Sequence, residues 1–252
     1  MRELKLIALP GIPEVMPHVV LCDLLVPAIA RAGMTLQAGD VLVLAQKIVS
    51  KAEGRLLTVS DVTPSSRALD IARKAGKDPR IVELMLRESR KVLRVKPGVI
   101  IVEHKLGFVM ANAGIDQSNV PGGDEAVLLL PEDPDASARK LRDELLAATG
   151  ADVGVLIIDS FGRAWRNGVT GTAIGVAGMP ALVDLRGKKD REGRALQVTQ
   201  VAAADELAAA ASLVMGQADE GTPAVLVRGF PYAKREGSVK ALLRPEAEDL
   251  FR

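Results

Sequence analysis

Two carboxylates in this chain stand where chemistry can be done. Asp116 lies in Asn112-Ala113-Gly114-Ile115-Asp116-Gln117-Ser118-Asn119, a glycine-bent stretch of carboxylate and amide groups straight after the apolar run Phe108-Val109-Met110-Ala111. Asp159 ends a second apolar run, Val153 to Ile158, and Ser160 follows it at the head of a Gly- and Arg-rich loop. Oxygen acceptors at that density suit a hard cation or a nucleotide, and substrates commonly sit beyond strand ends. Each feature also has a plainer reading. Asp116, Asn112 and Asn119 are ordinary turn residues, and Asp159-Ser160 would equally cap a helix or start a turn.

Basic side chains recur near these acids. Lys47 and Lys51 follow the apolar run Val41-Leu42-Val43-Leu44-Ala45, although Lys51 and Arg55 also fit a solvated loop. Arg163 and Arg166 flank the single tryptophan, Trp165. Guanidinium groups grip carboxylate or phosphate in pairs of hydrogen bonds, and an indole offers a flat face to a ring; a tryptophan packed at an interface fits as well. Met215-Gly216-Gln217-Ala218-Asp219-Glu220-Gly221-Thr222-Pro223 is an acidic, glycine-bounded loop, either a simple connection or a nucleotide or metal loop. Neither Gly-x-x-x-x-Gly-Lys-Ser/Thr nor Gly-x-Gly-x-x-Gly occurs, so a bound nucleotide would rely on carboxylate-held magnesium or manganese and on lysines.

Composition narrows the class. The 252 residues suffice for one sizeable core or two intimate lobes, and 33 basic against 32 acidic residues leave no field that would draw nucleic acid. Aromatics make up 2% of the chain, which argues against base-stacking platforms. One cysteine, Cys22, and two histidines, His18 and His104, exclude an internal disulfide and a zinc site built from thiolate and imidazole alone. A hydrogen bond is a plainer role for His104 than a metal. No apolar stretch has the length of a membrane span, and the N-terminus reads as a strand and not as a signal peptide, so a cytoplasmic, non-membrane protein is expected.

The elements that must position these groups follow from periodicity. Strands are expected at Leu4 to Leu9, Val41 to Ala45, Lys91 to Glu103 (split by Pro97-Gly98), Phe108 to Ala111, Val153 to Asp159 and Ala224 to Arg228. Helices are expected at Val20 to Ala32, in two pieces from Thr63 to Arg90, and at Ala136 to Thr149, closed by Gly150. Gly168, Gly171 and Gly175 punctuate an expected loop, and Lys188 to Arg194 reads as a solvated hairpin or flap. Val198 to Met215 reads as an alanine-rich helix, apolar on several sides, lying centrally or at a subunit interface. The fold class is therefore α/β (α+β) with a mixed sheet.

In chain order, the blocks Gly39-Asp40-Val41-Leu42-Val43, Ser50-Lys51-Ala52-Glu53-Gly54-Arg55, Asn112 to Asp116, Ser118-Asn119, Asp159-Ser160-Phe161-Gly162-Arg163, Ala173-Ile174-Gly175, Ala204-Asp205-Glu206, Met215-Gly216 and Pro223 to Gly229 resemble one family. It is the coenzyme F420-0:L-glutamate ligases, or gamma-glutamyl ligases, which act late in the biosynthesis of a deazaflavin redox cofactor. The blocks span nearly the whole chain, and together they are highly specific.

The resemblance implies a GTP-dependent amide ligase of a family-specific fold that forms an intertwined homodimer, with residues 1–252 as one ligase domain and no nitroreductase-like C-terminal extension. It implies two divalent cations per subunit, manganese or magnesium, with potassium as a monovalent activator. By position, Asp116 and Asp159 match the ligands of one ion, and Ser160 and Gln217 those of the other; some relatives carry Glu at position 217, where Gln offers a neutral oxygen. Ile12, Pro13, Glu14, Val15, Gln46, Lys47, Lys51, Asn119 and the loop Met215, Gly216, Gln217, Ala218, Asp219, Glu220, Gly221, Thr222 fall where the family holds GTP. The substrates implied are GTP, coenzyme F420-0 and L-glutamate. From residue type, Lys51 assists electrostatically, Arg163 and Arg166 grip the acidic substrates, and Trp165 lies beside the deazaflavin ring. Rival readings are ligation of a different amino acid or acid acceptor on the same scaffold, or a nucleotide-binding module without turnover.

Overall fold

Strands that are apolar at every position, rather than alternately, need cover on both faces. Val41–Ala45 (β2), Ala224–Arg228 (β12) and the first half of Gly154–Arg163 (β8) are of this kind, and they form the centre of a five-stranded mixed sheet. The computed structural model describes residues 3–118 and 123–249. Its main sheet runs β1-β12-β2-β8-β9, with β1 at Lys5–Ala8 and β9 at Arg166–Ala177. Only β2 and β8 are parallel; the other pairs are antiparallel.

Helices cover both faces. Leu21–Arg31 (α1) packs on Pro134–Thr149 (α5), which lies against β8 and β9, and Ala203–Met215 (α6) lies against β1, β8, β9 and β12. The start of α5 is written locally: Asp133 accepts from the Ala136 N–H, Pro134 takes the first helical position, and Gly150 closes the helix in the left-handed conformation. Two distant carboxylates bind the sheet to its cover. Asp135 accepts from the backbone of Val176 and Val239, and Asp205 from the Ala173 N–H.

A second, smaller core lies beside the first. Ser66–Ala75 (α3) and Pro79–Arg87 (α4) pack on an antiparallel sheet of Ser89–Lys96 (β4), Val99–His104 (β5) and Val109–Ala111 (β6), burying Ala68, Ala72, Val82, Met85, Ile100 and Val102. A short ladder of Leu56–Thr58 (β3) and Ala126–Leu128 (β7) completes this part. Phe108 meets Phe161 of β8 edge-on, with ring centroids 5.8 Å apart, where the two parts join.

Several expectations need correction. The segment after Asp159 is not a loop: β8 continues to Arg163 and pairs with β9 in a hairpin, so Asp159 lies within a strand and Gly168, Gly171 and Gly175 belong to β9. The residues from 163 to 169 are solvent-exposed, so no burial pattern betrays the strand. The alanine-rich helix begins at Ala203 and not at Val198, because Gln200–Val201 (β11) pairs with Val183–Asp184 (β10). The expected hairpin at Lys188 to Arg194 forms, closed by a bridge from Lys189 to Ala195. Lys51 is not on a loop; it is buried in Gln46–Ala52 (α2), and Arg55 pairs with Glu88 at 2.9 Å.

His104 is buried, and its Nδ1 accepts from the Leu106 N–H. Burial lowers its pKa from 6.5 to about 4, against the pull of Glu88 in the opposite direction. The unfolded chain therefore takes up this proton first. The contribution is fully present above pH 6.5 and is lost as pH falls toward 4, to the extent of about 3 kcal/mol. Denaturant titrations at pH 7 and pH 4.5 should show a loss of stability in the parent that is markedly smaller in His104→Gln.

Candidate functional site

A cavity of about 1350 Å³ opens where the two parts meet, at the C-terminal ends of the parallel strands β2 and β8. Pockets for a single small ligand commonly fall in the range of roughly 300–1,000 Å³. Five segments line it: the turn around Ile12 to Val15, the helix α2, the stretch after β6, the outer part of the β8–β9 hairpin, and the loop after α6.

Asp116 reaches the cavity through an unusual backbone. Asn112, Ala113 and Gly114 take φ values of +52°, +54° and +64° in succession. A left-handed conformation costs an alanine about 1–2 kcal/mol, and an asparagine less. Asn112 helps to hold the turn by accepting from the Ile100 N–H. Asp116 is not at a strand end as expected; it forms a single bridge with Leu128, exchanging backbone hydrogen bonds of 3.0 and 2.8 Å. Asn112→Ala should lower stability by about 1–2 kcal/mol and reduce ion affinity through Asp116, which thermal unfolding and calorimetric titration with manganese would read separately.

The side chain of Asp116 is tied on both oxygens. Oδ1 accepts from the backbone N–H and the hydroxyl of Ser118, each at 2.8 Å, and Oδ2 meets the Lys47 ammonium at 2.8 Å. Asp159 stands close enough that the Asp116 charge acts on it. Burial first, and then that charge, raise the Asp159 pKa to about 6, against the Ser160 N–H and Lys47. A cation placed between them would meet two carboxylates, one of which Lys47 already pairs.

Ser160 belongs to a separate group. Consecutive strand residues point to opposite faces, and β8 pairs Asp159 with Thr172 and Ser160 with Gly171, the latter on the α6 side. The Ser160 hydroxyl donates to Gln217 Oε1 at 2.8 Å, and Gln217 Nε2 donates to Ser212 Oγ at 2.8 Å. The loop after α6 folds back on itself: Thr222 donates to the Met215 carbonyl, and Glu220 accepts from the Ala218 N–H, a bond that lowers its pKa.

At the other wall, Lys51 donates to Glu14 at 2.6 Å. Gln46 is buried, and its Oε1 accepts from Ser50 Oγ at 2.8 Å, whereas its Nε2 has no hydrogen-bond partner among the described residues. A buried donor without a partner is uncommon and calls for a ligand or solvent. Arg163 and Arg166 line the outer rim, with Arg163 donating to the Asn167 carbonyl. Trp165, at the hairpin tip with φ +59°, is 80% exposed and lies outside the set of residues that border the cavity.

Thus Ile12 to Val15, Gln46, Lys47, Lys51, Asp116, Asp159, Ser160, Arg163, Arg166 and Met215 to Thr222 all border one cavity. Asn119 lies outside the described residues. Sequence reasoning gave no role to Ser118 and Ser212, which hold Asp116 and Gln217. Asp-x-Ser is the spacing of a side-chain turn, and Ser212 is the polar exception in an alanine-rich helix.

Among the described residues no cluster of three or more His, Cys, Asp or Glu side chains forms. A cation beside Asp116 and Asp159 would meet carboxylate oxygens, and one on the other face of β8 would meet the neutral oxygens of Ser160 and Gln217. Such an all-oxygen set fits a hard divalent ion and not a thiophilic one.

Comparison with known proteins supplies the lineage. The family described as F420-0:Gamma-glutamyl ligase matches residues 11–229. A coenzyme F420:L-glutamate ligase of Methanothermobacter thermautotrophicus is 48% identical over 251 residues, covering 99% of both chains. One from Methanopyrus kandleri is 52% identical over 221 residues, covering 86% of this chain and 87% of its own, and one from Haloarcula marismortui is 43% identical over 251 residues, covering 97% and 95%. With a family match across most of its length and relatives at this identity over nearly all of it, the chain belongs to the F420-0:gamma-glutamyl ligase family.

Proposed function

We propose that this enzyme joins L-glutamate to coenzyme F420-0 through an amide bond, driven by GTP, and releases GDP and phosphate. The observation that carries the reading is the meeting of Asp116, Asp159, Lys47 and Lys51 on one cavity large enough for a nucleotide and a second substrate. The orphaned amide nitrogen of Gln46 on the same wall supports a bound acceptor-rich ligand.

A carboxylate in water does not react with an amine until one of its oxygens becomes a leaving group. The terminal carboxylate of F420-0 attacks the γ-phosphorus of GTP and the bond to the β-phosphate oxygen breaks, which yields an acyl phosphate and GDP. The amine of glutamate then attacks the acyl carbon; phosphate leaves and the amine loses a proton. Divalent ions at Asp116 and Asp159, and at Ser160 and Gln217, would supply charge neutralisation for the triphosphate, with potassium assisting. Lys51, fixed by Glu14, adds positive potential at the nucleotide wall, and the loop from Met215 to Thr222 borders the same cavity. Arg163 and Arg166 at the rim take the acidic substrates, and Trp165 offers its exposed face to the deazaflavin ring.

The chain acts as one ligase domain and forms a homodimer. Leu213 on α6 is 87% exposed, and Val169 of β9 is also exposed, apolar side chains suited to contact with a second copy. Among the described residues no helix is long and apolar enough to cross a membrane, and a cytoplasmic location suits nucleotide-driven synthesis. Mass spectrometry and phosphate detection test the reaction together: with GTP and manganese, phosphate and a glutamyl adduct should appear only when F420-0 and glutamate are both present. Nucleotide binding without phosphate release under those conditions would reduce the protein to a binding module.

A further inference from the structure

The Lys47 ammonium sits where a divalent ion at Asp116 would place its charge. Its three protons have three acceptors: Asp116 Oδ2 at 2.8 Å, Ser118 Oγ at 2.8 Å and the Ser118 carbonyl at 3.1 Å. Asp116 Oδ1 is meanwhile taken by the N–H and hydroxyl of Ser118. Oδ2 is thus the oxygen left to an external cation, and the lysine covers it. Lys47 sits between the buried residues Gln46 and Ile48 in the first turn of α2, so its backbone is fixed and only its four-carbon stem can swing. The stem borders the same cavity as Lys51 and the loop after α6.

We infer that Lys47 is a tethered cation that competes with a divalent ion for Asp116 and, once displaced, turns into the cavity to meet the anionic nucleotide. The inference rests on the ion and nucleotide reading of this cavity and adds a coupling to it. Without the ion, Lys47 neutralises Asp116; with it, two cations cannot share that oxygen cheaply, and the ammonium becomes available to phosphate. Ion loading and nucleotide binding then reinforce each other through one side chain, reciprocally as linkage requires. Both members of the pair are about a quarter exposed, so the competition is modest in size.

Calorimetric titration with manganese alone, and with GDP in the absence and presence of manganese, tests this on the full chain. Lys47→Met should bind manganese about two- to fivefold more tightly than the parent without nucleotide. It should bind GDP as the parent does when the ion is absent and more weakly when it is present. Lys47→Arg, which keeps the charge, should retain the parent pattern. Lys47→Met binding manganese no more tightly, or losing GDP affinity equally with and without the ion, would overturn the competition in favour of a fixed phosphate contact. Asp116→Asn separates the levels: if it binds manganese like the parent, the ion reading itself fails, and the inference falls with it.

Discussion

Asp159→Asn should lose about 10³-fold or more in the rate of glutamyl transfer while folding at least as well as the parent. The two effects have one cause. Burial and the neighbouring Asp116 charge push the Asp159 pKa up to about 6, so the ionised carboxylate is a liability to the metal-free fold. Replacing it with a neutral amide of the same shape removes that cost, and it also removes the charge that holds a divalent ion. The loss of several kcal/mol of transition-state stabilisation translates into the stated factor. Asp116→Asn should share the catalytic defect without a gain in stability, because its carboxylate is partnered by Lys47 and Ser118. Single-turnover assays and thermal melts on the same samples check both halves, and near-parental turnover by either variant would remove the carboxylate pair from the mechanism.

Gly175→Ala should destabilise the fold by about 3 kcal/mol or more, a large share of the stability of a typical domain. A Cβ at this position would lie 2.4 Å from the Pro134 carbonyl oxygen and 2.5 Å from its carbon, backbone atoms that cannot turn aside. Gly171 is crowded in the same way by the Ala208 carbonyl at 2.4 Å, but from the opposite face. The switch of face comes from the shift in pairing at the step from Ile157 to Ile158, which leaves Ile174 as an extra residue and inverts the alternation. Each glycine thus lets one helix approach the sheet closely, α6 at Gly171 and α5 at Gly175. Denaturant unfolding of the two single variants should show comparable losses, and a cost below about 1 kcal/mol at either would mean that the helix slides away freely.

How much of this was legible beforehand depends on the range of the interaction concerned. The strands β2 and β12 and the inner part of β8 could be read because burial on both faces leaves uninterrupted apolar runs. The helix α5 could be read because its amphipathic pattern and its closing glycine are local signals, although it starts at Pro134, two residues before the expected Ala136. The outer β8–β9 hairpin could not, since its exposed Gly- and Arg-rich text carries no apolar period and its strands are held by cross-strand pairing. The burial of Lys51 could not be read either: the Glu14 that holds it lies 37 residues away. The acids Asp116 and Asp159 were picked out by type and setting, yet the turn of left-handed residues that delivers Asp116 is announced only by Gly114. Asp135 was given no role, and Asp205 entered only within the block Ala204-Asp205-Glu206, because their partners are backbone N–H groups of distant strands.

Asp159 and Ser160 are separated by a single peptide unit and look to opposite sides of it, so the backbone of β8 runs between two groups of side chains that border one cavity. A carboxylate installed at position 217 would alter the group that holds Ser160 directly, leaving the hydrogen bonds around Asp116 in place. The two halves are thereby open to independent adjustment during descent, though neighbouring residues build them.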